Sequence, residues 1–202
     1  MGAPIKLVLI GANGMLGQTV QEALPVGYEL VAGNYPQVDL LQPSLVAKIL
    51  QESSPDIIVN CAAHTAVDAC EKEQELALHI NGEGPGLLAA LAKKLAAVLV
   101  HVSTDYVFDG ASSIPYREED DTGPQSAYGR SKLAGEQAIL ERGLERFFIV
   151  RTSWLYGPHG KNFVETILRL AGEKEEIRIV ADQIGSPTLT DDLAGGLFRL
   201  LK

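Results

Sequence analysis

The sequence predicts an α/β fold: a doubly wound parallel sheet with helices on both faces. Three observations carry this. Short apolar runs alternate along the chain with segments of helical period, the signature of a parallel sheet layered with helices. The runs are continuous rather than alternating, as expected of strands buried on both faces. The first run, Ile5–Ile10, ends in a glycine cluster, Gly11–Gly17, that opens into a helical segment.

The elements follow in order. Ile5–Ile10 reads as the first strand, Met15–Leu24 as a helix and Tyr28–Ala32 as a second, short strand. Ser44–Gln51 is helical, with Pro43 near its start, where a missing N–H costs nothing. Pro55 ends that helix, because the residue before a proline avoids the helical region. Asp56–Asn60 is a third buried strand. Glu71–Ile80 and Gly86–Ala97 are helical by pattern, and Val98–Ser103 is a fourth strand. Tyr128–Glu141 reads as a helix and Phe147–Arg151 as a fifth strand. Phe163–Ala171, Ile177–Val180 and Asp191–Leu201 read as helix, strand and helix. The polar, Gly- and Pro-bearing stretch Asp109–Gln125 is a long loop beyond the fourth strand, and loops of that length in compact domains often carry function.

Composition narrows the function classes. A chain of 202 residues fits one domain, or one with a small appendage. A net charge of −9 and a pI near 4.9 argue against a general binder of nucleic acid or anionic membrane. Two cysteines, Cys61 and Cys70, make neither a disulfide framework nor a zinc site, and a reduced, cytoplasmic setting is the default. His79, His101 and His159 lack metal-ligand spacing, so no metal site is expected. The longest apolar stretch is broken by Lys93-Lys94, no signal peptide is evident, and nothing spans a membrane.

The glycines at Gly11-Ala12-Asn13-Gly14-Met15-Leu16-Gly17 suit a tight turn that lets a pyrophosphate approach a helix N-terminus. Placed between first strand and first helix, they point to dinucleotide binding and a Rossmann-like sheet; a ligand-free turn is the plainer alternative. The second strand runs into Gly33-Asn34-Tyr35, without an acid to hold a ribose diol or an arginine to take a 2′-phosphate, so NADPH and NADH both remain open. Asp39 could reach the adenine end, though a capping or solvent-exposed carboxylate fits its spacing better. Small residues at Asn60-Cys61-Ala62-Ala63 would let a flat cofactor lie against the strand end. Cys61 itself reads as a small buried apolar residue. His64 has no carboxylate partner visible in the sequence.

Ser103-Thr104-Asp105 ends the fourth strand, where ligands bind in open α/β sheets. A hydroxyl there could bond a substrate oxygen; the plainer role is to cap a turn. Tyr128 and Lys132 lie four residues apart on one helical face. A cation beside a phenol is expected to lower its pKa, which makes the pair a general acid–base device.

Several long motifs then resemble one family. Asn-Cys-Ala-Ala-His-Thr-Ala-Val-Asp at 60–68, Ser-Thr-Asp-Tyr-Val-Phe-Asp-Gly at 103–110, Tyr-Gly-Arg-Ser-Lys-Leu-Ala-Gly-Glu at 128–136, Arg-Thr-Ser-Trp-Leu-Tyr-Gly at 151–157, Gly-Lys-Asn-Phe-Val at 160–164 and Asp-Gln-Ile-Gly-Ser-Pro-Thr at 182–188 are similar to the dTDP-4-dehydrorhamnose reductases, extended short-chain dehydrogenase/reductases. The resemblance implies NAD(P)H-dependent reduction of the 4-keto group of dTDP-4-dehydro-L-rhamnose. It implies that Tyr128 protonates the new alkoxide, Lys132 holds the nicotinamide ribose, and Thr104 stands where the superfamily has its catalytic serine. Ala12 and Asn13 fall in its phosphate turn, Asp39 and Leu40 at its adenine contact, and Ala63, His64 and Thr65 in its cofactor loop. That loop often carries an aromatic residue where His64 stands. Asp105 and Trp154 would contact the nucleotide-sugar.

By the same resemblance, residues 1–152 form the dinucleotide-binding domain. Residues 153–202 begin a substrate lobe interleaved with the last elements of that domain. Family members run well past Lys202, so the chain is expected to be either a piece of a longer protein or a naturally short form. A homodimer is conceivable. The alternatives are a non-catalytic NADP-binding regulatory subunit like the one serving methionine adenosyltransferase, which shares the fold, and a reductase or epimerase of another nucleotide-sugar.

Overall fold

The structure is a computed structural model that describes residues 2–202. The expected alternation is present: β1 (Ile5–Ile10), α1 (Met15–Glu22), β2 (Tyr28–Gly33), α2 (Pro43–Ser53) and β3 (Ile57–Asn60). Then come α3 (Val67–Cys70), α4 (Gln74–Leu78), a π-helical turn (His79–Glu83), α5 (Gly84–Leu95) and β4 (Val98–Thr104). A 3-10 turn (Asp105–Val107), α6 (Ala127–Glu141) and β5 (Phe147–Thr152) complete the sheet region. The five strands are all parallel, in the order β2-β1-β3-β4-β5.

Each sheet face buries its own apolar cluster. On one face Val8, Ile10, Ile58 and Leu99 pack against α2, α5 and α6 through Val46, Leu50, Leu88, Ala92 and Ile139. On the other, Leu7, Leu9, Val59 and Val100 pack against α1 and, from the far end of the chain, α8 (Thr190–Leu200) through Ala194, Leu197 and Phe198. Tyr28 and Phe198 meet edge to face at 5.8 Å.

Two expected elements differ. The helix read over Glu71–Ile80 is broken into α4 and the π-helical turn. Pro85 has no N–H to return to the Asn81 carbonyl, so the ladder widens there. Gly135 of α6 comes close enough to that carbonyl that a Cβ would stand 2.1 Å from it. The strand read over Ile177–Val180 does not form, and Ile179 and Val180 are exposed. High β-propensity without a partner strand does not make a strand. Instead β6 (Leu155–Tyr156) pairs in parallel with β7 (Thr188–Leu189). Between them α7 (Phe163–Glu173) leaves Phe163, Val164 and Leu168 exposed. Among the described residues, no helix is long and apolar enough to cross a membrane.

Candidate active site

The direction of strand succession reverses between β1 and β3, which places a crevice at their carboxyl ends. A cleft of about 300 Å³ opens there, lined by the turn residues Gly11, Asn13 and Gly14, by Tyr35, Asp39 and Leu40 after β2, and by Cys61, Ala62 and Ala63 after β3. The turn is shaped by its glycines. Gly11 has φ +79°, and a Cβ on it would stand 2.7 Å from the Ala62 nitrogen. A Cβ on Gly17 would stand 2.2 Å from the Gly11 carbonyl oxygen. Helix α1 begins with no side-chain cap, so its first N–H groups are free for an anion. Ala12 is buried in the core beneath the turn, and Met15 starts the helix half-buried.

Asp39 lines the cleft and also caps a turn, accepting from the Leu41 N–H at 2.9 Å and from Gln42 Nε2 at 3.1 Å. The capping role read from the sequence is thus present. Asn34 keeps a buried side-chain oxygen without a partner, an acceptor set where many dinucleotide folds carry an acid. His64 does have a carboxylate partner: its Nε2 lies 2.8 Å from Glu73 Oε2. That contact was invisible in sequence because a turn and α3 intervene. Thr65 is exposed beside it.

The second part of the site is polar and buried. Along the α6-facing side of β3 and β4, the apolar residues Ile58 and Leu99 give way toward the carboxyl ends to Asn60, His101 and Ser103. Opposite them α6 presents Tyr128, Lys132 and Glu136 on one stripe, as i, i+4 spacing requires. Lys132 is 1% exposed, and its Nζ donates to the Val102 carbonyl at 2.8 Å. Burial pulls its pKa down to about 8, against the opposing pull of Glu136.

Glu136 is 3% exposed. It accepts from Ser103 Oγ at 2.5 Å, Arg151 Nη2 at 2.7 Å and Arg151 Nε at 3.0 Å. The guanidinium of Arg151 lies over the Phe108 ring at 4.9 Å.

Thr104 closes β4. Its hydroxyl donates to Asp105 Oδ1 at 3.1 Å and accepts from the Tyr106 N–H at 3.2 Å, and it lies near enough to the Tyr128 phenol to favour the phenolate. The expected lowering of the Tyr128 pKa is absent. Burial pushes it up to about 12, which outweighs the Thr104 contact. The Lys132 nitrogen is spent on Val102 and His101 rather than on the phenol. Burial also raises the Asp105 carboxyl. Trp154, at φ +46°, sets its indole against Gly185 in the β6–β7 region.

Asn81 joins the two halves and was missed in sequence. Its Oδ1 accepts from the His64 N–H at 2.7 Å, and its Nδ2 donates to the His64 carbonyl at 2.9 Å and to Ser131 Oγ at 3.0 Å. Glu136 was missed as well, although its spacing from Lys132 repeats that of Tyr128. Among the described residues no group of three or more His, Cys, Asp or Glu side chains is gathered to hold a metal ion.

Comparison with known proteins places nearly the whole chain in one family. The family model described as the RmlD substrate binding domain matches residues 5–202. A dTDP-4-dehydrorhamnose reductase of Burkholderia thailandensis is 46% identical over 98% of this chain and 66% of its own length. A probable dTDP-4,6-dihydroxy-2-methyloxan-3-one 4-ketoreductase of Streptomyces antibioticus is 44% identical over 94% of this chain and 65% of its own. The crystal structure of dTDP-4-dehydrorhamnose reductase from Bacillus anthracis, in complex with NADP, superposes with a TM-score of 0.95 at 44% identity, covering 98% of this chain and 70% of that one. The chain therefore spans about two thirds of the length of these relatives. On the extent of the family match and these identities, the chain belongs to the RmlD substrate binding domain family.

Proposed function

We propose that this chain carries the cofactor-binding and acid–base part of an NAD(P)H-dependent reductase that converts the 4-keto group of dTDP-4-dehydro-L-rhamnose into the hydroxyl of dTDP-L-rhamnose. The observation that carries the reading is the meeting of Thr104 and Tyr128 at the end of β4, with Lys132 one turn further along α6. A bound nicotinamide would supply the hydride. The residues present fit such a cofactor. Gly11, Gly14 and the uncapped start of α1 suit its pyrophosphate, Asn34, Asp39 and Leu40 its adenosine end, and Ala62, Ala63 and His64 its middle. The neutral amide at Asn34, in place of an acid, tolerates a 2′-phosphate.

Tyr128 then acts as the acid. A buried phenol with a pKa near 12 keeps its proton at neutral pH and yields it to a far more basic alkoxide. Thr104 orients the ketone oxygen, and Asp105 and Trp154 face the nucleotide-sugar. Residues 1–152 make up the dinucleotide domain and 153–202 the start of the substrate lobe. A cytoplasmic setting, and a dimer of like chains, go with this reading. Streptomyces antibioticus supplies the ground for a second one, in which the same groups reduce a different dTDP-linked ketosugar.

The test is oxidation of NADPH or NADH with dTDP-4-dehydrorhamnose, alongside fluorescence titration of each cofactor. Turnover with tight cofactor binding is expected. Absence of binding by both would remove the reading.

A further inference from the structure

We propose that His101 is a positioning residue for Lys132: locked by Asn60 with its proton on Nε2, it presents a donor to the lysine nitrogen and so favours the neutral amine over the ammonium. Its consequence for catalysis rests on the reading of Tyr128 and Lys132 given above, whereas the charge argument stands by itself.

The argument is an accounting of donors and acceptors. The Ala62 N–H donates to Asn60 Oδ1 at 3.1 Å, which fixes the orientation of the Asn60 amide. The other end of that amide, Nδ2, therefore faces His101 Nδ1, 3.0 Å away. An amide nitrogen only donates, so Nδ1 must accept. A neutral imidazole carries one proton, which is then on Nε2. Nε2 lies 3.4 Å from Lys132 Nζ. An ammonium there would set N–H against N–H, whereas an amine offers its lone pair to Nε2–H and still donates to the Val102 carbonyl at 2.8 Å.

Asn60, His101 and Lys132 are 0%, 0% and 1% exposed, so no bulk water relieves a mismatch. A doubly protonated ring is ruled out by the same contacts, and burial, then the Lys132 charge, pull the His101 pKa well down.

The remaining groups facing Lys132 supply little counter-charge. Glu136, one turn along α6, favours the ammonium, but its carboxylate is already bonded by Ser103 and twice by Arg151. Burial holds the Cys61 thiol near 12 and the Tyr128 phenol near 12, so both are neutral. The lowered Lys132 value agrees with this accounting.

The experiment is NMR on the cofactor-free protein with ¹⁵N-labelled histidine and ¹³C-labelled lysine. The His101 ring should show the Nε2–H tautomer from neutral to mildly alkaline pH. In His101→Gln the side-chain carbonyl can accept from Nζ, so the Lys132 titration midpoint should rise by about one pH unit or more, a tenfold shift in proton affinity. Asn60→Asp offers an acceptor to Nδ1 and should switch the ring to the Nδ1–H tautomer, which serves if His101→Gln fails to fold. An Nδ1–H or imidazolium ring in the wild type, or a Lys132 midpoint unmoved in His101→Gln, overturns the proposal. Failure to reduce the ketone with these NMR results intact counts against the proposed activity and leaves the His101 assignment standing.

Discussion

Glu136 and Arg151 are joined by two hydrogen bonds, 2.7 Å from Nη2 and 3.0 Å from Nε, at a carboxylate that is almost closed to solvent. The pair ties α6 to β5, and Ser103 brings in β4. Arg151→Met would leave the carboxylate buried with only the Ser103 hydroxyl. Removing one partner of a buried pair costs roughly 3–5 kcal/mol. Urea unfolding should show a loss of that order, and Arg151→Lys a smaller one, because lysine cannot supply the fork.

Tyr128→Phe should bind NADPH as the wild type does and lose roughly 10²–10⁴-fold in kcat, the usual worth of a positioned acid. Steady-state kinetics beside a fluorescence titration separates the two. Wild-type turnover in this variant would remove Tyr128 from its role.

Lys132 lowers the stability of the cofactor-free fold. Its pKa is 10.5 in an unfolded chain and about 8 in the fold, so the unfolded state holds the extra proton between those values. The penalty is full below about pH 8 and is relieved as pH rises toward 10.5. Lys132→Met should therefore raise cofactor-free stability by on the order of 1–3 kcal/mol at pH 7, with the advantage shrinking through that window, while abolishing turnover. Thermal melts across pH check the sign.

Glycines 17 and 195 predict opposite outcomes for one substitution. Gly17→Ala drives a methyl to 2.2 Å from the Gly11 oxygen, and backbone cannot step aside, so both stability and NADPH affinity should fall. Gly195→Ala, in α8 with open space around its Cβ, should stabilise by ~0.5–1 kcal/mol. Denaturation midpoints of the two variants decide the matter.

Asn81→Ala should weaken NADPH binding by ~1–3 kcal/mol, because it strips the bonds that hold His64 and leaves its N–H unpaired. Isothermal titration measures it. An unchanged Kd would detach the π-helical turn from the cofactor loop.

What the sequence revealed and what it hid follow from the range of each interaction. Continuous runs such as Ile57–Asn60 declare a parallel strand because burial on both faces is a local demand on composition. The Gly11–Gly17 turn and the Tyr128–Lys132 face are likewise set by near neighbours. Ile177–Val180 misled because strand formation needs a partner, and none meets it. His64–Glu73 and Asn81–Ser131 are made across turns whose geometry depends on the whole packing. The direction of the Tyr128 pKa was misjudged for a related reason. Spacing sets a lysine beside a phenol, but only the folded surroundings decide which carbonyl takes the lysine's protons.

The return of α8 to the sheet has a kinetic consequence. The cluster behind α1 contains Leu7, Leu16 and Val20, but it is completed by Leu197 and Phe198 from the other end of the chain. During synthesis the first strand and helix emerge early and must wait, with that apolar face uncovered, until α8 has left the ribosome. A contact closed over such a sequence separation is entropically late. A chaperone that recognises exposed aliphatic surface has its longest opportunity on the segment that holds the Gly11–Gly17 turn.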